Sequence, residues 1–222
     1  MKVLIACEFS GTVRRAFRAL GHDAWSCDLL PAEDGSEFHI QDNVLSVLEG
    51  RELKTWGGVE FRDLSAADQE EANQGSYAPD RAPWDLMVAH PPCTHLAVSG
   101  ARWFKEKALE QLQALEFVQR LLDAPIERIA LENPISIISS RIRKPDQIIQ
   151  PWQYGHGETK ATCLWLKNLP KLTPTNIVEG REGKVWKMGP SPDRWKERSR
   201  TYGGIAMAMA AQWGGQAQQE AA

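Results

Sequence analysis

The sequence predicts a doubly wound α/β fold: a Rossmann-like, mostly parallel sheet with helices on both faces. Three observations carry this. Short apolar runs alternate with helical periodicity along most of the chain. The first unit reads strand, glycine turn, helix, strand, acid, which is a right-handed βαβ crossover. Three clusters with chemical character (Glu8 to Gly11, His90 to Cys93, Glu132 to Pro134) each follow a predicted strand, where such sheets hold ligands.

Each element has its own signal. Lys2 to Cys7 is a β-rich apolar run, and a helical pattern from Thr12 to Leu20 stops at Gly21. His22 to Asp28 is the second strand. Trp84 to His90 reads as a buried strand, broken by Pro91-Pro92. A long helix is expected from Arg102 to Leu122, with Ala108, Leu112, Leu115, Val118 and Leu122 as its apolar face. Ile126 to Leu131 and Thr162 to Leu166 are later strands, and Ile205 to Trp213 is the last helix. The stretch from Glu60 to Asp80 holds six acidic residues and one basic residue, so it reads as an exposed loop.

The 222 residues suit one domain, read here as 1–214, with 46–83 an insertion or loop and 215–222 a disordered tail. No apolar run approaches the ~20 residues of a membrane span, and the first residues turn acidic too soon for a signal peptide. A cytoplasmic protein is expected. The four cysteines have no paired spacing, which fits free thiols in a reducing compartment. The net charge of −3 argues against nucleic-acid binding by bulk electrostatics and calls for a local patch.

The clusters suggest chemistry. Glu8, Phe9, Ser10 and Gly11 form a glycine turn that lets a ligand approach backbone. Asp28 lies 17 residues past Gly11, near the spacing at which an acid meets ribose hydroxyls, and Asp42 could accept from an adenine amino group. A glycine turn with a capping acid is also ordinary structure. After Pro91 and Pro92, Cys93 is a thiol at a strand end, suited to add to an electron-poor ring carbon. Its bland alternative is a buried cysteine after a turn. Glu132, followed by Asn133 and Pro134, offers a proton donor for a ring nitrogen. Lys184, Lys187, Arg194, Lys196, Arg198 and Arg200 face only Asp193 and Glu197 in their stretch, with Trp186, Trp195 and Tyr202 interleaved. Cations there can hold phosphates while aromatics stack on bases; a solvated positive loop is the plainer alternative. His90, Cys93 and His95 do not make a zinc-deaminase motif, since position 96 is Leu, and no metal is expected.

In this order, Cys7-Glu8-Phe9-Ser10-Gly11, Pro91-Pro92-Cys93, Glu132-Asn133 and Tyr202-Gly203-Gly204-Ile205-Ala206 resemble the motifs of C5-cytosine DNA methyltransferases. The stretches His90 to Thr94, Gln150 to Trp152, Gly155 to Lys160 and Arg194 to Tyr202 resemble small phage-encoded members of that family, which would place the protein in a bacterial host cell. The resemblance implies a fold of the S-adenosylmethionine-dependent methyltransferase type, S-adenosyl-L-methionine as cofactor and DNA as partner. It implies catalytic roles for Cys93, Glu132 and Asn133. Glu8, Phe9, Ser10, Gly11, Asp28, Asp42, Pro91 and Gly204 would hold the cofactor. Pro92, Lys160, Thr162, Arg194, Lys196, Arg198 and Arg200 would hold the substrate. Lys160-Ala161-Thr162 stands where the family has Arg-x-Arg, and 168–200 is a reduced target-recognition segment. Three other readings stay open: the same chemistry on a free nucleotide or RNA, a catalytically silent DNA-binding homologue, and an amino-methyltransferase, which His90 and Cys93 argue against.

Overall fold

The computed structural model describes residues 1–49, 55–56, 59–60, 84–98, 106–189, 191 and 194–215. In chain order the elements are β1 (Lys2–Ala6), α1 (Thr12–Ala19), β2 (Asp23–Asp28), β3 (His39–Gln41), α2 (Val44–Leu48), β4 (Thr55–Trp56), β5 (Val59–Glu60) and β6 (Leu86–Ala89). Then come α3 (Ala108–Leu122), β7 (Arg128–Pro134), α4 (Ile138–Arg141), β8 (Gln147–Ile149), β9 (Thr162–Lys167), α5 (Lys184–Lys187), α6 (Arg194–Ser199) and α7 (Gly203–Gly214).

Seven strands form one sheet in the order β3-β2-β1-β6-β7-β9-β8. The first five run parallel, and β9 pairs antiparallel with both β7 and β8. The sheet is doubly wound, as the sequence predicts. Val3 to Ala6, Leu86 to Ala89 and Ile129 to Leu131 are buried throughout, the mark of parallel strands covered on both faces. Alternate residues go opposite ways. Val3 and Ile5 join Phe17, Met209 and Trp213 under α1 and α7, while Leu4 and Ala6 join Val44, Val118 and Leu121 under α2 and α3. Strand order reverses between β1 and β6, so a crevice opens at their carboxyl ends.

One expectation changes. The apolar face of α3 is rotated and shortened: Val118 and Leu121 are buried, whereas Leu112 is 63% exposed and Ala108 is exposed as well. The helix meets the sheet only through its C-terminal half, so early apolar residues that keep the period have no described core to enter. The expected start at Arg102 lies outside the described residues. So do most of the 46–83 insertion, where the β4–β5 hairpin is the described part beyond α2, and all but Gly215 of the tail. Among the described residues, no helix is long and apolar enough to cross a membrane.

Candidate active site

The crevice floor begins at β1. Cys7 adopts a left-handed φ of 60°, unusual for a residue with a side chain, and turns the chain out of the strand. Glu8 is buried, and its two oxygens accept from the amides of Val13 (2.7 Å) and Arg14 (3.2 Å). Its carboxylate therefore caps α1, satisfying free amides of the first turn. Gly11 has φ +67°, and a Cβ there would lie 2.4 Å from Arg14 Nη2 and 2.9 Å from Asp34 Oδ2. Arg14 is buried and donates to Ser26 Oγ (2.9 Å) and Asp34 (2.5 Å); Arg15 also reaches Asp34 (2.7 Å). Burial pushes the Asp34 carboxyl up, but the hydrogen bonds from Arg14 and Arg15 outweigh it and hold the group at about 2. This knot below the glycine turn was not read from the sequence.

Asp28 and Asp42 stand beyond the next strand ends. Asp28 Oδ1 accepts from the Leu30 amide (3.0 Å), and burial raises its carboxyl above the ordinary value. Asp42 Oδ1 accepts from the Asn43 amide (2.6 Å). Phe9 is buried, its ring 5.8 Å from that of Trp195 on α6, so α6 lies over the first turn.

The β6 and β7 ends carry a thiol and a carboxylate. Cys93 is exposed after Pro91-Pro92, with its carbonyl accepting from Leu96 (3.0 Å) and Ala97 (2.9 Å). Glu132 lies on the neighbouring strand, and His90 Nδ1 is 3.0 Å from its Oε2. Lost hydration at the crevice floor and then the Glu132 charge push the Cys93 thiol up, while Lys160 and Arg198 pull it back. For Glu132, burial raises the carboxyl, but His90, Lys160 and the Thr162 hydroxyl more than offset this, and the net shift is downward. Lys160 thus acts electrostatically on both the thiol and the carboxylate, while the Thr162 hydroxyl on β9 donates to the Lys160 carbonyl (3.2 Å).

Asn133 follows Glu132 on β7. It is 1% exposed, and its Nδ2 donates to the Pro91 carbonyl (2.9 Å). It thereby ties β7 to the Pro-Pro-Cys turn; Pro91 is buried too, and Pro92 is exposed. Gly204 likewise has a packing role. Its amide donates to His156 Nε2 (3.0 Å), and a Cβ there would sit 1.8 Å from the Tyr154 carbonyl oxygen.

The basic segment is tied down. Arg200 pairs with Glu33 (2.9 Å) and Glu197 (3.5 Å), and Lys184 with Glu158 (3.3 Å). Lys160 Nζ donates to the Arg200 carbonyl (3.1 Å), and Lys196 lies 5.7 Å from the Trp195 ring. Arg194 is half-buried. A cleft of about 280 Å³ opens among Glu158, Lys160, Lys184, Glu197, Arg200 and Tyr202. Tyr202 donates to Glu158 (2.7 Å) and packs against His156, which gives the Gly155-to-Lys160 stretch a structural task that its sequence did not disclose. Among the described residues, no group of three or more His, Cys, Asp or Glu is arranged to hold a metal ion.

No protein-family model matches the sequence, and no curated protein matches it. Three solved structures are similar in part. The Entamoeba histolytica methyltransferase EhMeth is 14% identical over 83% of this chain and 58% of its own, with a TM-score of 0.42. The S. pombe Dnmt2 methyltransferase is 17% identical over 77% and 51%, at 0.37. A Spodoptera frugiperda DNMT2 mutant is 14% identical over 82% and 54%, at 0.38. The chain therefore spans between half and three-fifths of their lengths.

Proposed function

We propose that the protein methylates cytosine at C5 in DNA, using S-adenosyl-L-methionine and a covalent adduct between Cys93 and ring carbon C6. One observation carries the reading: an exposed thiol follows β6, and at the end of the adjacent strand β7 a half-buried carboxylate is held by His90 (3.0 Å).

The residues present fit the cofactor. Asp28 offers an acceptor at the end of β2, Phe9 an apolar face after β1, and His90 a buried ring nitrogen with no partner at the end of β6. These lie along the strand ends that flank the switch point, with Asp42 beyond β3. S-adenosylmethionine, when bound, supplies the methyl group that C5 receives.

The chain's own residues prepare the ring. The Cys93 sulfur bonds to C6, and the displaced electron pair moves towards N3, where a proton on Glu132 meets it. The negative Glu132 also keeps the thiol protonated. As the pyrimidine binds, Glu132 takes up one proton from solvent and shares it with N3, which cancels that charge; the Cys93 thiol, no longer held up by it, gives its own proton to solvent as sulfur attacks. Loss of the C5 proton and departure of the thiolate complete the cycle. In a duplex the base must leave the stack first.

The same chemistry on an unpaired pyrimidine, in RNA or a nucleotide, is the second reading. It is favoured by the engagement of Arg200 and Lys184 with local carboxylates, which leaves less charge for a duplex backbone. The test is to incubate the protein with S-adenosylmethionine and DNA, or RNA, and to analyse the digested nucleosides by mass spectrometry, with Cys93→Ala alongside. 5-Methyldeoxycytidine from wild type alone is expected. N-methylated bases, or an active Cys93→Ala, would sink the thiol mechanism.

A further inference from the structure

The cleft of about 280 Å³ lies beside the crevice. Arg200 and Thr201 are the partition between them: they line the cleft on one side and, on the other, the small cavity that His90 shares with the turn after β1. Lys160 forms a second wall of the cleft. It stands just before Thr162, whose register partner on β7 is Pro134, a short step past Glu132. A pyrimidine laid against Cys93 and Glu132 therefore has the cleft as its neighbour. The volume falls just below the range of small-ligand pockets, which suits one base and not a base pair.

The charges decide what kind of group fits. Lys184 is matched by Glu158 (3.3 Å), and Arg200 by Glu33 (2.9 Å) and Glu197 (3.5 Å). An anion placed here would meet Glu158 and Glu197 as well as the cations. A neutral group with donors and acceptors along one edge has no such conflict. Glu158 is the fixed point. Burial alone would raise its carboxyl, but hydrogen bonds from Tyr202 (2.7 Å) and Lys184 (3.3 Å) outweigh it and lower the group, which is ionised. An ionised carboxylate has about four acceptor sites, so these two bonds, one to each oxygen, leave a site on each. Lys160 Nζ carries several donors and gives one to the Arg200 carbonyl (3.1 Å). The cleft thus sets a pair of acceptors beside ammonium donors.

Guanine answers that pattern best among the bases. Its N1–H and N2–H point the same way, as the two donors that a carboxylate takes side by side, and O6 follows on the same edge as an acceptor. Adenine and cytosine set an amino group beside a bare ring nitrogen, which would turn a lone pair towards the second Glu158 oxygen. Thymine and uracil offer one N–H between two carbonyls.

We propose that the cleft holds an unpaired guanine next to the target cytosine, with Glu158 accepting from N1–H and N2–H and Lys160 donating to O6. This rests on the reading above and narrows it. In a duplex that edge belongs to the pairing partner, so the strand must be single at both bases. Glu158 is then the residue that sets specificity, and Tyr202 and Lys184 position it.

The test reads binding by fluorescence anisotropy and needs no cofactor or turnover. Short thymine strands carry one central cytosine, flanked on both sides by guanine, hypoxanthine, 7-deazaguanine or adenine. Hypoxanthine lacks only the 2-amino group, and 7-deazaguanine keeps the whole pairing edge. Wild type is expected to hold the guanine strand about tenfold more tightly than the hypoxanthine strand, as for a hydrogen bond to a charged group, and the 7-deazaguanine strand equally well. Glu158→Gln keeps an acceptor for the Tyr202 hydroxyl and loses the second one. It should lose most of the preference for guanine over hypoxanthine and hold the adenine strand at least as tightly as wild type does. The base analogues probe wild type by itself, should that variant misfold. Equal binding of the guanine and hypoxanthine strands would overturn the proposal. So would an unchanged preference in folded Glu158→Gln, a loss on 7-deazaguanine, or no binding of any strand. Methylation without the preference would sink this proposal alone; the preference without methylation would sink the catalytic reading and leave the cleft its guanine.

Discussion

The crevice floor and the basic segment above it handle charge in opposite ways. On the floor, Arg14, Glu8, Asn133 and Glu132 are buried or nearly so, and each is held by neighbours on fixed strands or on the first turn of α1. In the segment from Lys184 to Tyr202, Arg200 and Lys184 pair with carboxylates from several loops while remaining largely exposed. Buried pairs are costly to break because the abandoned partner is left without water. Exposed pairs exchange one partner for solvent at little cost. The floor is therefore built to hold one geometry, and the segment is built to let go.

The comparison breaks most sharply at Gly11. Gly11→Ala adds a methyl at a left-handed φ, where a side chain costs about 1–2 kcal/mol, and drives it into the Arg14–Asp34 pair. Loss of that buried pair adds about 3–5 kcal/mol. Urea denaturation should show a total of about 4 kcal/mol or more. A change below about 1 kcal/mol would mean that Arg14 can leave its site freely, against the contrast drawn here.

Charge on the floor is next, read through the thiol. Glu132→Gln removes the carboxylate that holds the Cys93 thiol up, so iodoacetamide should modify Cys93 several-fold faster at pH 7.5. Lys160→Met removes a cation that pulls the thiol down, so it should slow the reaction. The two variants are expected to move in opposite directions. Movement in the same direction would show that access governs the thiol, not charge.

The same pair dictates a pH profile. The competent state needs a proton on Glu132, held below the ordinary value of 4.5, and none on Cys93, raised above the ordinary 9.0. Between two such limits each tenfold loss of protonated carboxyl is matched by a tenfold gain of thiolate. Covalent capture on 5-fluorocytosine DNA should therefore vary less than about twofold from pH 5.5 to 8.5. Below the plateau the thiolate fraction falls while the carboxyl is already protonated. Above it the carboxyl keeps losing protons while the thiol is already ionised. A limb near pH 6 to 8 would assign the step to another group.

What the sequence disclosed follows the same division. The strands β1, β6, β7 and β9 announced themselves through continuous apolar runs, and β2 through its place after the first helix, and with them came the three clusters at strand ends. The short elements β3, α2 and β8 did not, since three to five residues cannot display a period and, unlike β6, β3 and β8 carry polar residues that break the apolar run. The apolar period of α3 was real, but which turns meet the sheet depends on where the helix crosses it. Cys93 and Glu132 were legible as types at strand ends. The pairs that fix the crevice floor, His90 with Glu132 and Arg14 with Asp34, are separated by 42 and 20 residues. They meet only because β6 lies beside β7 and because the loop after β2 folds back over α1.

The smallest effect expected is at the segment itself, and it separates the two uses of Arg200. Glu33→Gln removes the carboxylate that ties Arg200 to the loop after β2. Both side chains are partly exposed, so stability should change by less than about 1 kcal/mol. If Arg200 holds a phosphate once released, the variant should bind a single strand slightly more tightly. The log–log salt dependence should also steepen by about 0.7, the contribution of one added phosphate contact. An unchanged slope would assign Arg200 to the strap that seats α6 over Phe9. The phosphate contacts would then have to come from Arg198 or Lys196 on α6.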